Sequence, residues 1–173
     1  DLISGYTSSS IGISEQITLN VGVNAQVLTL NNSWTLEPRA GIKWQFSPKS
    51  SFALAYGLHS RMEKMDVYFV KTQGTGDRSV NKDLGFTRAH HVMLSYGFKI
   101  SDNMNMKIEP YFQQLYDVPV IADSSYSVLN RRDFYVENAL VNRGKGRNIG
   151  VDITLERYLN KGLYYMMTAS IFD

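Results

Sequence analysis

Few side chains in this sequence offer reactive chemistry, and their spacing decides what that chemistry is. Its three histidines are His59, His90 and His91, two of them adjacent. Neighbouring residues of a strand point to opposite faces, so His90 and His91 cannot chelate one ion in regular β geometry. No metal site is expected, and with no cysteine a thiolate-bound zinc or iron–sulfur centre is excluded. Glu37 and Glu109 are the residue types that hydrolyse glycosides, but that reaction needs two acids at a set separation in a cleft. Nothing in the sequence sets it. Ser124-Ser125 lack a nucleophile elbow. The glycine-rich stretches GTGDR (residues 74–78) and NRGKGRN (residues 142–148) do not open helices, so neither cradles a phosphate as helix N-termini do. No set of residues supplies nucleophile, base and orienting group together, so the chain is not expected to be an enzyme or to need a cofactor.

The elements that carry these side chains follow from composition and period. The chain has 173 residues and a net charge of +2, too balanced for a nucleic-acid binder, which concentrates basic charge. One folded segment, residues 1–173, is expected. Its 11 Tyr, 8 Phe, 2 Trp and 13 Gly with only 4 Pro favour strands over helices. From Trp34 every second residue is apolar: Trp34, Leu36, Pro38, Ala40, Ile42, Trp44, Phe46, with Glu37, Arg39, Lys43 and Gln45 between them. A period of two puts these sets on opposite faces of a sheet. The pattern recurs over Ile17–Val27, Val92–Ile100 and Ile149–Leu155. Noisier strands are read at residues 2–11, 52–61, 106–113 and 163–172. The fold class is therefore all-β, an antiparallel up-and-down meander of about eight strands. Several are roughly 12–15 residues long, against the five or six usual in globular proteins.

The links alternate in length. Short turns fall at 13–15, 47–50 (SPKS), 101–103 (SDN) and 160–162 (NKG), all at one end. The other end holds a short link at 31–33 and two long ones, roughly Lys64–Gly85 and Asp117–Lys145. Short turns on one side and long loops on the other are the mark of a transmembrane barrel, with the apolar face toward lipid. No stretch reaches the ~20 apolar residues of a spanning helix. A mean hydropathy of −0.23 suits a barrel, whose strands are apolar only at alternate positions.

Three segments resemble the barrel of TonB-dependent outer-membrane receptors, in particular the Bacteroidetes type. They are LEPRAGIKWQFSPKSSFALAYGLHSR (36–61), MKIEPYFQQLYDVPV (106–120) and NRGKGRNIGVDITLERYLNKGLYYMMTASIFD (142–173), together about half the chain. The resemblance implies import of a bulky nutrient across the bacterial outer membrane through a barrel of about 22 strands, plugged by a separate domain. It implies as partners outer-membrane lipid, the protein's own plug domain, the TonB complex and a surface lipoprotein, and no nucleic acid. No segment resembles the plug, so the chain is expected to be a piece from the later part of such a barrel.

On that reading Glu37, Arg39, Lys43, Arg61, Glu63, Lys107, Glu109, Asp152 and Glu156 are lumen- or plug-facing candidates. Tyr126, Arg131, Arg132, Phe134 and Tyr135 are candidates for capturing ligand from an extracellular loop. Arg143, Lys145 and Arg147 suit lipopolysaccharide phosphates. Two other functions fit the pattern: a complete eight-stranded barrel, as an anchor or a lipid-modifying enzyme, and a soluble lipocalin-like carrier with the apolar stripe turned inward. Because bare strand edges template pairing, an isolated piece is expected to close on itself or to seal its edges in an oligomer.

Overall fold

The computed structural model describes residues 1–72, 78–122, 124, 127, 137–160 and 162–173. Eight strands follow in chain order: β1 (Leu2–Gly12), β2 (Ile17–Leu28), β3 (Ser33–Ser47), β4 (Ser50–Arg61), β5 (Thr87–Ser101), β6 (Met104–Ile121), β7 (Leu140–Asn160) and β8 (Leu163–Phe172). A four-residue helix, α1 (Met65–Tyr68), lies between β4 and β5. Each strand pairs antiparallel with the next, in one sheet of order β1 to β8. Consecutive pairing is the simplest antiparallel connection; the turns after β1, β3, β5 and β7 fall at one end, and the link from β2 to β3 (29–32) joins the two long ones at the other.

The register confirms the two faces. Trp44 stands opposite Ile17, and Lys43 opposite Thr18. Tyr56 faces Val92, Phe112 faces Ile149, and Glu109 faces Asp152. The apolar stripe is exposed along its length, with Leu36 51%, Ile42 40%, Leu94 38% and Ile149 52% accessible. Aromatic rings gather near both ends of it. Trp44, Phe46, Tyr96 and Phe98 form a chain of ring contacts with centroids 5.4–6.4 Å apart toward the tight turns. Toward the long links, His90 stacks between Tyr56 and Tyr116, with centroids at 6.1 and 5.2 Å.

Two expectations change. The second long link is shorter than its composition implied, because β6 runs to Ile121 and β7 starts at Leu140. A bulge at Leu115–Val118, with Asp117 at φ 54°, lets β6 continue through residues that read as loop. The sheet also does not close: among the described residues β1 and β8 pair only with β2 and β7. They are edges, exposed at every position of β1 and at all but Tyr165 of β8.

Burial of apolar side chains is concentrated at the end with the long links. The buried apolar residues are Leu28, Val67, Tyr68, Leu84, Phe86, Val118 and Leu140. Residues 62–72 and 78–86 therefore form a cap, whose small core is completed by Leu28 and Leu140 of the sheet. Asparagines tie it down. Asn31 Nδ2 donates to the carbonyls of Lys82 (3.0 Å) and Leu84 (2.7 Å), and the Leu140 amide donates to Asn81 Oδ1 (2.8 Å). Among buried backbone groups such side-chain partners stand in for a ladder.

Candidate functional site

The polar face carries an open hollow of about 890 Å3 across β1–β5, so it is the inner side of the sheet's curve. Its wall is built from small and neutral residues (Ser8, Ser10, Asn20, Asn24) with Arg39, His59 and His91. Glycine is what lets the imidazoles meet. Gly57 stands opposite His91, and His59 folds back over it so closely that a Cβ there would lie 2.7 Å from His59 Nε2. The His59 and His91 rings sit 6.0 Å apart, and Tyr111 meets His91 edge-on at 6.1 Å. Tyr111 in turn covers Gly150, where a Cβ would come within 2.6 Å of the phenol. A belt of three rings thus crosses the inner wall from β4 to β6, with His59 seated on Gly57 and Tyr111 on Gly150 of β7.

Beside the hollow, β3 and β4 part company. Their ladder ends at Arg39 opposite Gly57, and the Glu37 side chain fills the gap. Its carboxylate accepts from Asn24 Nδ2 (3.0 Å), Gln26 Nε2 (2.7 Å), the Arg39 guanidinium (2.9 Å) and the Ser60 amide (3.0 Å). A carboxylate 1% exposed is tolerable only because its lone pairs are so fully engaged. Thr35 Oγ1 and Ser60 Oγ, 2.7 Å apart, close the same gap.

A second hollow of about 560 Å3 lies on the same face near the tight turns. Lys43, Lys49, Lys99 and Lys107 line it together with Glu109 and Glu156. Lys107 pairs with Glu109 at 2.9 Å. Among the described residues Lys43, Lys49 and Lys99 have no ion pair, so this end of the wall is basic.

Of the charges singled out in the sequence, Glu37 and Arg39 meet beside the first hollow, and Lys43, Lys107, Glu109 and Glu156 meet in the second. Asp152 stands opposite Glu109 on the same face. Arg61 ends β4 opposite Thr87. Glu63 belongs instead to the cap, buried, where Thr87 Oγ1 donates to it at 3.0 Å. His90 and His91 do point to opposite faces: Tyr56 Oη and His90 Nδ1 are 2.9 Å apart on the apolar side. Tyr126, Arg131, Arg132, Phe134 and Tyr135 lie outside the described residues. The His59–His91–Tyr111 belt was not legible in the sequence, because it depends on strand registers. Its one local signal is the glycine two positions before His59.

No protein-family model matches the sequence, and no curated relative matches it. Thirteen chains of solved structures match its fold, the following two among them. The siderophore receptor PirA from Pseudomonas aeruginosa matches with a TM-score of 0.73 at 11% identity, over 99% of this chain and 34% of that one. The FrpB iron transporter from Neisseria meningitidis (F3-3 variant) matches with a TM-score of 0.65 at 16% identity, over 98% of this chain and 25% of that one. The likeness is one of fold. This chain spans about a third of the first protein and a quarter of the second.

Proposed function

We propose that this chain is a segment of the barrel wall of a TonB-dependent outer-membrane receptor of the Bacteroidetes type, a protein that imports a bulky nutrient. The observation that carries the reading is the inverted exposure of the sheet: apolar residues stand outside along nearly every strand, and polar ones line the hollows. Contiguous apolar surface of that extent is rare on a monomer in water and ordinary where lipid covers it. Barrel-wall neighbours that match 98–99% of the chain support the same reading. The open edges argue against the eight-stranded barrel and the lipocalin, both of which need β1 against β8.

On this reading further strands of the same barrel pair with β1 and β8, and the basic second hollow and the ringed first hollow face a plug domain and the passing cargo. Catalysis has no part in it. TonB supplies the energy, and a surface lipoprotein delivers the nutrient at the end with the long links.

The test is envelope fractionation of cells that make the protein, with an antibody against residues 62–72. The reading expects antigen in the outer-membrane fraction of a polypeptide several times longer than this chain, reached from outside intact cells. It also expects loss of growth on the limiting nutrient when either this gene or TonB function is removed. Antigen in a soluble fraction would overturn it.

A further inference from the structure

We propose that the cap is a closed strap: it crosses the mouth of the sheet's curve from β2 to β7 and sets how far apart those two strands stand. Three observations lead there. The first is span. Four strands separate β2 from β7, so the two lie five spacings of ~4.8 Å apart, about 24 Å along the wall. Leu28 at the end of β2 and Leu140 at the start of β7 nevertheless share one buried cluster with Val67, Tyr68, Leu84 and Phe86 of the cap. Leu28 follows the exposed Val27 and so points to the inner face. The cap therefore lies inside the curve, along its chord.

The second is fastening. Residues 78–86 belong to no strand, and side chains at both ends of the chord hold their backbone. On the β2 side, Asn31 donates to two cap carbonyls, those of Lys82 and Leu84. On the β7 side, the Gly85 amide donates to Asn142 Oδ1 at 2.9 Å. Asn81, 1% exposed, reaches the other way: its Nδ2 donates to the Asn138 carbonyl at 3.0 Å while its Oδ1 accepts the Leu140 amide. Asn142 Nδ2 donates in turn to the Asp117 carbonyl at 2.7 Å, which anchors that clasp to the bulge of β6. An amide side chain both donates and accepts, so three asparagines suffice to pin a segment that no ladder holds. Breaking such bonds costs the desolvation of every buried group left unpaired.

The third is what the strap leaves free. Among the described residues none of the cap lines the ringed hollow, whose wall runs across β1–β5. Lids that lift are drawn from segments with few buried contacts and loosely held backbone. This segment has a buried core and fastened ends, so it stays across the mouth. Whatever reaches the hollow passes beside it.

The experiment uses the natural full-length protein in nanodiscs, with nitroxides on V27C/A139C in a background free of other cysteines. Pulsed dipolar spectroscopy measures the separation. With the strap intact it should give a single narrow distance. Because Arg61 stands opposite Thr87, an Asn-Gly turn can replace residues 62–86 and leave the β4–β5 ladder paired. That change should broaden the distribution roughly twofold and move its mean by one strand spacing, ~5 Å. L19C/L155C, on the same two strands near the tight turns, should not move. Asn31→Ala/Asn142→Ala, which keeps the cap and cuts its clasps, should broaden the V27C/A139C distances to a smaller extent. It decides the matter if hydrogen exchange shows that the shortened chain has lost its ladders. Unchanged V27C/A139C distances in both variants, two resolved distances with the strap intact, or equal movement of the L19C/L155C pair would each overturn the inference. The inference rests on the fold and not on the membrane reading. A protein that stays out of nanodiscs defeats that reading, and the same distances are then read in buffer.

Discussion

The cap between β4 and β5 and the outer stripe of the sheet use the same apolar residue types in opposite ways. In the cap, Val67, Tyr68, Leu84 and Phe86 are hidden by the protein itself, at 0–4% exposure. On the stripe, Leu36, Ile42, Leu94 and Ile149 face outward with no protein against them. The cap is a core built for water, driven by removing its side chains from that solvent. The stripe has no such core behind it, and on the proposed reading its strands hold by backbone ladders that lipid cannot compete for. On that reading one chain is folded for two solvents, and average hydropathy hides the difference.

The comparison breaks most sharply at Tyr68. Tyr68→Ala removes the largest fully buried side chain among the described residues and should destabilise the cap by about 3–5 kcal/mol. Hydrogen exchange should show residues 62–72 and 78–86 opening while the ladders of β2–β7 stay protected. Simultaneous loss of the ladders would mean that cap and sheet form one unit. Ile42→Arg probes the other solvent. At the middle of the stripe it should cost about 2–4 kcal/mol in a bilayer. Gln45→Arg, on the polar face of the same strand, should cost little in the same denaturant titration.

Glu37, on the inner face, ties β3 to β2 and to β4. Glu37→Ala leaves several donors without their acceptor and should cost about 1–3 kcal/mol. The Ser60 amide should then exchange faster, with the turn end of the ladder unaffected. The smallest effect concerns acidity. Burial pushes the Tyr68 phenol above its ordinary value, so the neutral form is favoured in the folded cap. Its contribution is fully present below pH ~10 and is lost as pH rises through the folded value. Tyr68→Phe, which also removes the oxygen that accepts the Glu63 amide, should flatten that loss while lowering stability by about 0.5–1.5 kcal/mol at neutral pH. Absorbance titration of phenolate against cap exchange checks it.

The strands were legible because a period of two survives in sequence wherever one face is uniform: Trp34 to Phe46 specifies its faces without any partner. The alternating link lengths gave the up-and-down order for the same reason, since tight turns leave no other pairing. What lay beyond the sequence depends on register. The seat of His59 on Gly57 beside His91, and Glu37 in the fork of β3 and β4, are contacts between residues far apart in the chain. The cap was hidden differently. Val67, Tyr68, Leu84 and Phe86 follow neither a period of two nor one of 3.6, so they read as loop until packing assembled them. At Asp117 a bulge carried β6 past a residue whose composition spoke for a turn.

The central claim is that the apolar face of this sheet meets lipid and the polar face meets water. Because the chain has no cysteine, single cysteines at positions 35 to 45 of β3 can each carry a nitroxide without background labelling. In bilayers, collisions with oxygen and with a polar nickel chelate report the surroundings of each position. The account predicts a strict alternation: oxygen-rich at 36, 38, 40, 42 and 44, and chelate-accessible at the odd positions that line the hollows. Chelate reaching the even positions, with the odd ones shielded from it, would show the apolar stripe turned away from lipid and contradict the claim.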